Sequence, residues 1–223
     1  MKLDSRLALC ADTVTGDIVC DVGTDHGLLP AALLVSGKCR RAVCTDINPM
    51  PLAAARENLL KYGVADRAET YLADGLSGVP LKGVTDIVIA GMGGETIAKI
   101  ISGGMAKGIV FTAALVLQPM SRAEILREFL AEKGFEVTGE KGVISGGFAY
   151  TVMRCIHTGE TRELSPEERI TGKLSRDLPD DREYVKKQLM RYEKRLLGAE
   201  KQDREQAAVM RPLSEKIRKE WEL

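Results

Sequence analysis

Three aspartates stand where short apolar runs end: Asp21 after Ile18-Val19-Cys20, Asp46 after Ala42-Val43-Cys44-Thr45, and Asp74 after the run Ala68 to Leu72. If those runs are neighbouring strands of a parallel sheet, the three carboxylates converge on its C-terminal edge, where open α/β sheets bind ligands. A single Asp at such a place says little, because Asp favours turns and caps. Three on consecutive units argue for a site. Ionised carboxylates only accept hydrogen bonds, so Asp46 suits the two hydroxyls of a ribose and Asp74 the amino group of an adenine.

The loop after the first run sharpens this. Asp21-Val22-Gly23-Thr24-Asp25-His26-Gly27 sits where a dinucleotide-binding loop would need Gly at positions 21, 23 and 26, and those positions hold Asp, Gly and His. A pyrophosphate wants helix-terminal N–H groups and no carboxylate beside them. S-adenosylmethionine carries an ammonium and a sulfonium and no phosphate, so Asp21 and Asp25 would attract it. Gly23 and Gly27 would let the backbone approach such a ligand closely. The competing reading of the loop is a tight strand-to-helix turn with no ligand. A fourth apolar run ends in Ala90-Gly91-Met92-Gly93-Gly94. This is not the Asp/Asn-Pro-Pro-aromatic tetrapeptide that holds an exocyclic amino group, which argues against transfer to adenine N6. The turn either leaves room for a flat base beside the donor or simply needs positive φ.

The elements that must position these residues alternate. Strands are expected at Ile18–Cys20, Ala42–Thr45, Ala68–Leu72, Asp86–Ala90 and Ala114–Leu117. Helices are expected through Pro30–Leu34 and from Pro51 to Tyr62. Ser121 with Glu124 has the form of a capping box opening a helix to Lys133, with Gly134 as its stop. Phe135 to Lys141 and Phe148 to Ile156 flank a Gly-rich loop and read as an antiparallel pair. The expected fold is α/β, a doubly wound, seven-stranded, Rossmann-like sheet over residues 1–160.

After His157 the strand signals vanish, and residues 161–223 read as a helical hairpin of coiled-coil type. Val185, Leu189, Tyr192 and Leu196 form one stripe, with Gly198 as a possible cap. Met210, Leu213, Ile217 and Trp221 form a second, in which Pro212 predicts a kink or a helix start. Two readings of the tail stand side by side: a protruding hairpin, or stripes docked on the main domain.

Composition excludes several classes. With 32 basic and 32 acidic residues the chain has no global attraction for nucleic acid, so RNA binding would need a local patch. Arg182 to Arg195 supplies one, with six basic residues against Glu183 and Glu193. The other reading of that run is a solvated helix face. No long apolar run predicts a membrane span, and the N-terminus lacks the apolar core of a signal peptide. Five scattered cysteines and two histidines argue against a disulfide framework or a metal site. A cytoplasmic monomer is the expectation.

Taken together, Asp21 to Pro30, Ile89-Ala90-Gly91-Met92-Gly93-Gly94 and Leu117-Gln118-Pro119 resemble the bacterial tRNA (adenine-22-N1)-methyltransferases, and the helical tail extends the likeness over nearly the whole chain. The resemblance implies a class I methyltransferase domain with a C-terminal coiled coil, S-adenosylmethionine as cofactor and tRNA as partner. It implies a cofactor set of Asp21, Gly23, Thr24, Gly27, Asp46, Ile47, Asp74, Gly75, Ala90 and Gly91. Asp25, His26 and Met92 would line the reacting pocket, and Lys186, Lys187, Arg191, Lys194 and Arg195 would contact RNA. This chain departs from the family at Met120, where Asn is usual, at Thr151, where Glu usually follows Tyr, and at Pro212.

Adenine N1 presents an in-plane lone pair, so attack on a methyl group needs no prior deprotonation; the task is to unstack and align the base. Asp25 is the candidate to stabilise charge developing on it. His26 either orients Asp25 or the cofactor, or is purely structural. The competing functions are methyl transfer to a non-RNA substrate, a nicotinamide-dependent dehydrogenase, and a non-catalytic RNA-binding module on the same fold.

Overall fold

A computed structural model describes residues 1–223. The chain opens with a helix absent from the sequence reading, α1 (Ser5–Thr13), capped by Asp4, whose Oδ1 accepts from the Leu7 N–H at 2.8 Å. There follow β1 (Ile18–Val22), α2 (Leu28–Val35), β2 (Arg41–Asp46), α3 (Pro49–Lys61) and β3 (Ala68–Leu72). Then come β4 (Asp86–Gly93), α4 (Gly94–Ala106), β5 (Ala114–Ser121), α5 (Ala123–Glu132), β6 (Phe135–Ser145) and β7 (Phe148–His157).

The seven strands form one sheet in the order β3-β2-β1-β4-β5-β7-β6, parallel except for β7, which runs antiparallel to both β5 and β6. The expected doubly wound sheet is therefore present. The chain winds outward from β1 to β3 and returns to the centre at β4. That reversal opens a crevice at the C-terminal ends of β1 and β4.

Both faces of the sheet are covered, which explains the unbroken apolar runs. Ile87, Ile89, Leu115 and Leu117 point to one core layer with Ile97, Ile101, Leu126 and Met153; Val88 and Val116 point to the other, with Leu29, Leu33 and Leu34. Each such side chain, fully buried, contributes roughly 1.5–3 kcal/mol.

Several local expectations are corrected. Ser121 and Glu124 form no capping box: Ser121 is the last residue of β5, opposite Gly93, and the α5 N-cap is Arg122, left-handed at φ 57° with no side-chain cap. Strand pairing outcompetes a local cap there. The expected turn after Ala90 instead continues β4 through a bulge at Gly91, φ 79°. The hairpin of β6 and β7 is longer than expected and closes on Gly146-Gly147, both at positive φ, the pattern of a two-residue type I′ turn.

The tail comprises α6 (Pro166–Thr171), opened by a Ser165–Glu168 capping box, α7 (Pro179–Gln202) and α8 (Arg204–Trp221). Gly198 lies inside α7 and caps nothing; Pro212 lies inside α8, which begins well before it. Docking and protrusion both occur, in different halves. Tyr184, Val185, Leu189, Ile217 and Trp221 pack with Ala149 of β7, whereas Leu196, Ala199, Ala207 and Met210 pack on one another and Tyr192.

A buried ion pair fastens the near half. Arg127 of α5 meets Glu140 of β6 at 2.6 Å, with side chains 3% and 0% exposed. Arg127 also donates to the Arg169 carbonyl at 2.7 Å and to Tyr184 Oη at 3.3 Å. Glu140 accepts from Thr151 Oγ1 at 2.7 Å and from the Lys173 N–H at 2.9 Å, so Thr151 belongs to this structural network.

Candidate active site

The crevice between β1 and β4 is a cavity of about 580 Å³. Of the sequence-expected residues, Asp21, Gly23, Thr24, Asp25, His26, Asp46, Ile47, Asp74, Gly75, Ala90, Gly91 and Met92 all border it, and Gly27 does not.

At the end of β1, Asp21 is buried and accepts from Thr24 Oγ1 at 2.7 Å. Desolvation pushes its carboxyl up from 3.8 to about 6; the Thr24 hydrogen bond opposes that rise and the nearby Asp46 charge adds to it. The Gly23 and Thr24 N–H groups both donate to the Thr45 carbonyl at 2.8 Å, pinning the loop to β2. Gly23 has φ 71°, and a β-carbon there would lie 2.1 Å from Met92 Cε. Gly27 also has positive φ, but its β-carbon would meet Ala55 of α3 at 2.9 Å. That glycine serves the packing of α2 against α3.

Asp46 ends β2 with both carboxylate oxygens engaged from below, Oδ1 by the Asn48 N–H at 2.8 Å and Oδ2 by the Asp25 N–H at 3.3 Å. Each oxygen retains a lone pair for a ligand hydroxyl. Asp74 is exposed just past β3, and Gly75, at φ 60°, is held by Thr45 Oγ1 donating to its carbonyl at 3.2 Å. Ile47 presents an apolar side chain, 60% exposed, at the rim.

Asp25 and His26 sit at the mouth with side chains 70% and 61% exposed, free to meet an incoming group. His26 Nε2 is 3.6 Å from Asp25 Oδ1, too far for a hydrogen bond. Asp25 has φ 49°, left-handed for a residue with a β-carbon.

Two residues without a role in the sequence reading complete the site. Gln118, fully buried on β5, accepts with Oε1 from the Gly91 N–H at 3.0 Å and from Arg6 Nη1 at 2.8 Å. It thereby holds the β4 bulge and brings Arg6 of α1 into the cavity wall. Asp4 as a cap and the spacing of Leu7, Cys10 and Val14 could have revealed α1. Nothing in the sequence says which way Arg6 points. Met120 does not border the cavity; its Sδ lies 3.7 Å from Gln118 Nε2. No three His, Cys, Asp or Glu side chains gather in a metal-binding cluster, and the five cysteines are buried and free.

A family model described as "Methyltransferase domain" matches residues 3–153. The chain belongs to that methyltransferase family. A Bacillus subtilis tRNA (adenine(22)-N(1))-methyltransferase is 32% identical over 155 residues, 69% of this chain and 64% of that protein, so the match spans just under two thirds of the relative. The crystal structure of Streptococcus pneumoniae Sp1610, described there as a candidate tRNA (m1A22) methyltransferase, superimposes with TM-score 0.85 at 27% identity, covering 98% of this chain and 99% of that one. The same protein in complex with S-adenosyl-L-methionine gives TM-score 0.80 at 28% identity, covering 96% of this chain and 97% of that one. The resemblance read from the three motifs is borne out.

On α7 of this methyltransferase the five tail cations lie on the half of the helix opposite Val185, Leu189 and Leu196. Lys187 donates to the Gly147 carbonyl at 2.8 Å, Lys186 stands beside Arg182 and Glu222, and Lys194 is exposed. Arg191 and Arg195 border a second cleft. No helix of this methyltransferase is long and apolar enough to cross a membrane.

Proposed function

We propose that this chain transfers a methyl group from S-adenosylmethionine to N1 of adenine 22 in tRNA. The observation that carries the reading is one cavity at the sheet's switch point that collects Asp21, Asp46 and Asp74 around a glycine-relieved floor. The donor set fits the cofactor. Asp21 suits its ammonium, Arg6 its carboxylate, Asp46 the ribose hydroxyls and Asp74 the adenine amino group, while a side chain at Gly23 would fill the space.

Bound there, S-adenosylmethionine supplies an electrophilic methyl on a sulfonium. The chain's own part is positional. Gln118 fixes the β4 bulge, Met92 and Gly23 shape the floor, and the exposed Asp25 carboxylate stabilises positive charge appearing on the base. His26 sits beside Asp25 as a second contact for the base. Residues 1–160 form the catalytic unit in this reading, and residues 161–223 hold the RNA through Lys186, Lys187, Arg191, Lys194 and Arg195. The reading is of a cytoplasmic monomer acting on tRNA.

The test is methyl transfer from labelled S-adenosylmethionine to unmodified tRNA, followed by nucleoside analysis. The expected product is 1-methyladenosine, lost when adenine 22 is replaced by guanine. Cofactor binding without transfer to any tRNA would send the search to non-RNA acceptors.

A further inference from the structure

Between α5 and the near half of the tail lies a second cleft of about 470 Å³, within the range of small-ligand sites. Its walls carry five arginines, Arg122, Arg127, Arg169, Arg191 and Arg195, against Glu124 and Glu128, and the cofactor cavity uses none of them. On α7, Tyr184, Gln188, Arg191, Tyr192 and Arg195 recur at helical spacing, so one face of that helix looks into the cleft.

The cations are under-compensated. Arg191 and Arg195 make no ion pair, and Arg122 stays 3.7 Å from Glu124 and 3.9 Å from Glu95, beyond hydrogen-bond reach. Arg169 pairs with Glu128 at 2.7 Å, yet its Nε is buried without any partner. Arg195 is pre-set, its guanidinium 5.5 Å from the centre of the Tyr192 ring.

The position of the cleft identifies its occupant. Ser121 and Arg122 border it, and Ser121 pairs with Gly93, the neighbour of Met92 on the cavity floor. Adjacent strands lie roughly 5 Å apart, so the two sites approach each other across the β4–β5 pair. Planar guanidinium forks match phosphate oxygens.

We propose that this cleft receives the phosphodiester backbone of the RNA strand immediately beside the nucleotide whose base enters the cofactor cavity. It acts as a second anchor built jointly by α5, α6 and α7. This rests on the tRNA reading above. Arg122 and Arg169 are thereby RNA contacts outside the basic run of the tail.

The experiment compares wild type with the R122Q/R191Q/R195Q variant, measuring affinity for an unmodified tRNA transcript across a salt series and, separately, affinity for S-adenosylmethionine. Expected are at least tenfold weaker tRNA binding, a log–log salt slope shallower by about 0.7–0.9 per lost phosphate contact, and unchanged cofactor affinity. A transcript with uncharged methylphosphonate linkages flanking adenine 22 should bind wild type more weakly and the variant no differently. Unchanged tRNA affinity and slope in a variant that still methylates tRNA would overturn the cleft and leave the function standing. A wild type that neither binds nor methylates tRNA would remove both. Should the triple variant lose cofactor binding, R191Q and R195Q singly, both on an exposed helix face, provide the same comparison.

Discussion

Gly23 and Met92 meet across the floor of the cofactor cavity so closely that a β-carbon on Gly23 would fall 2.1 Å from Met92 Cε. Met92 is flexible and can retreat, but the φ of 71° at Gly23 remains costly for any other residue. Gly23→Ala should therefore lower S-adenosylmethionine affinity at least tenfold, as read by calorimetry. Adding Met92→Ala should restore only part of it. Full restoration would place the entire effect in the side-chain clash.

The buried Asp21 carboxyl, raised to about 6 mainly by desolvation, sets a pH dependence. Cofactor affinity should fall as pH drops through about 6, because the neutral acid no longer attracts an ammonium. Asp21→Asn should bind weakly at every pH with a flat profile. For the unliganded fold the sign reverses. A carboxyl raised in the folded state contributes stability below its unfolded value of 3.8 and loses it as pH rises through about 6. Asp21→Asn should thus unfold later than wild type at pH 8, by at most about 3 kcal/mol. A less stable variant at that pH would contradict the assigned cause.

Arg6 is assigned to the amino-acid end of the cofactor, which gives a selective test. Arg6→Ala should weaken S-adenosylmethionine roughly tenfold, the scale of one charge-assisted hydrogen bond. Binding of 5′-methylthioadenosine, which lacks the amino-acid end, should be untouched. Equal loss for both ligands would point instead to collapse of the Gln118 network that Arg6 joins.

The buried pair of Arg127 and Glu140 should be costly to break and cheap to replace. Glu140→Ala leaves a guanidinium buried alone and should destabilise by about 3–5 kcal/mol in urea unfolding. Arg127→Met with Glu140→Leu should lose less than either single change. Neither residue borders the cofactor cavity, so ligand affinity of the folded protein should persist.

The sheet and its acids were legible because their signals are local: apolar runs of strand length, each ended by Asp. The Ser121–Glu124 cap failed for a tertiary reason, since the same Ser completes a strand ladder against Gly93. Gly27 carries the backbone signature of a ligand-facing turn, and its close approach to Ala55, distant in sequence and adjacent in space, could not be read from the motif. Arg6 could not be assigned, because the direction of a helix face depends on what it packs against. The basic run was read by count; on α7 successive residues turn through about 100°, which spreads its five cations over the half of the helix away from the apolar stripe, and of these Arg191 and Arg195 border the second cleft.

The far half of the tail rests on only four buried residues, two on each helix, with no sheet beneath them. Such a small cluster opens at lower free energy than the core and exchanges its amides first. The tip around Gln202 and Arg204 is then a compliant finger on a stiff hand, shaped as much by whatever it closes on as by its own helices.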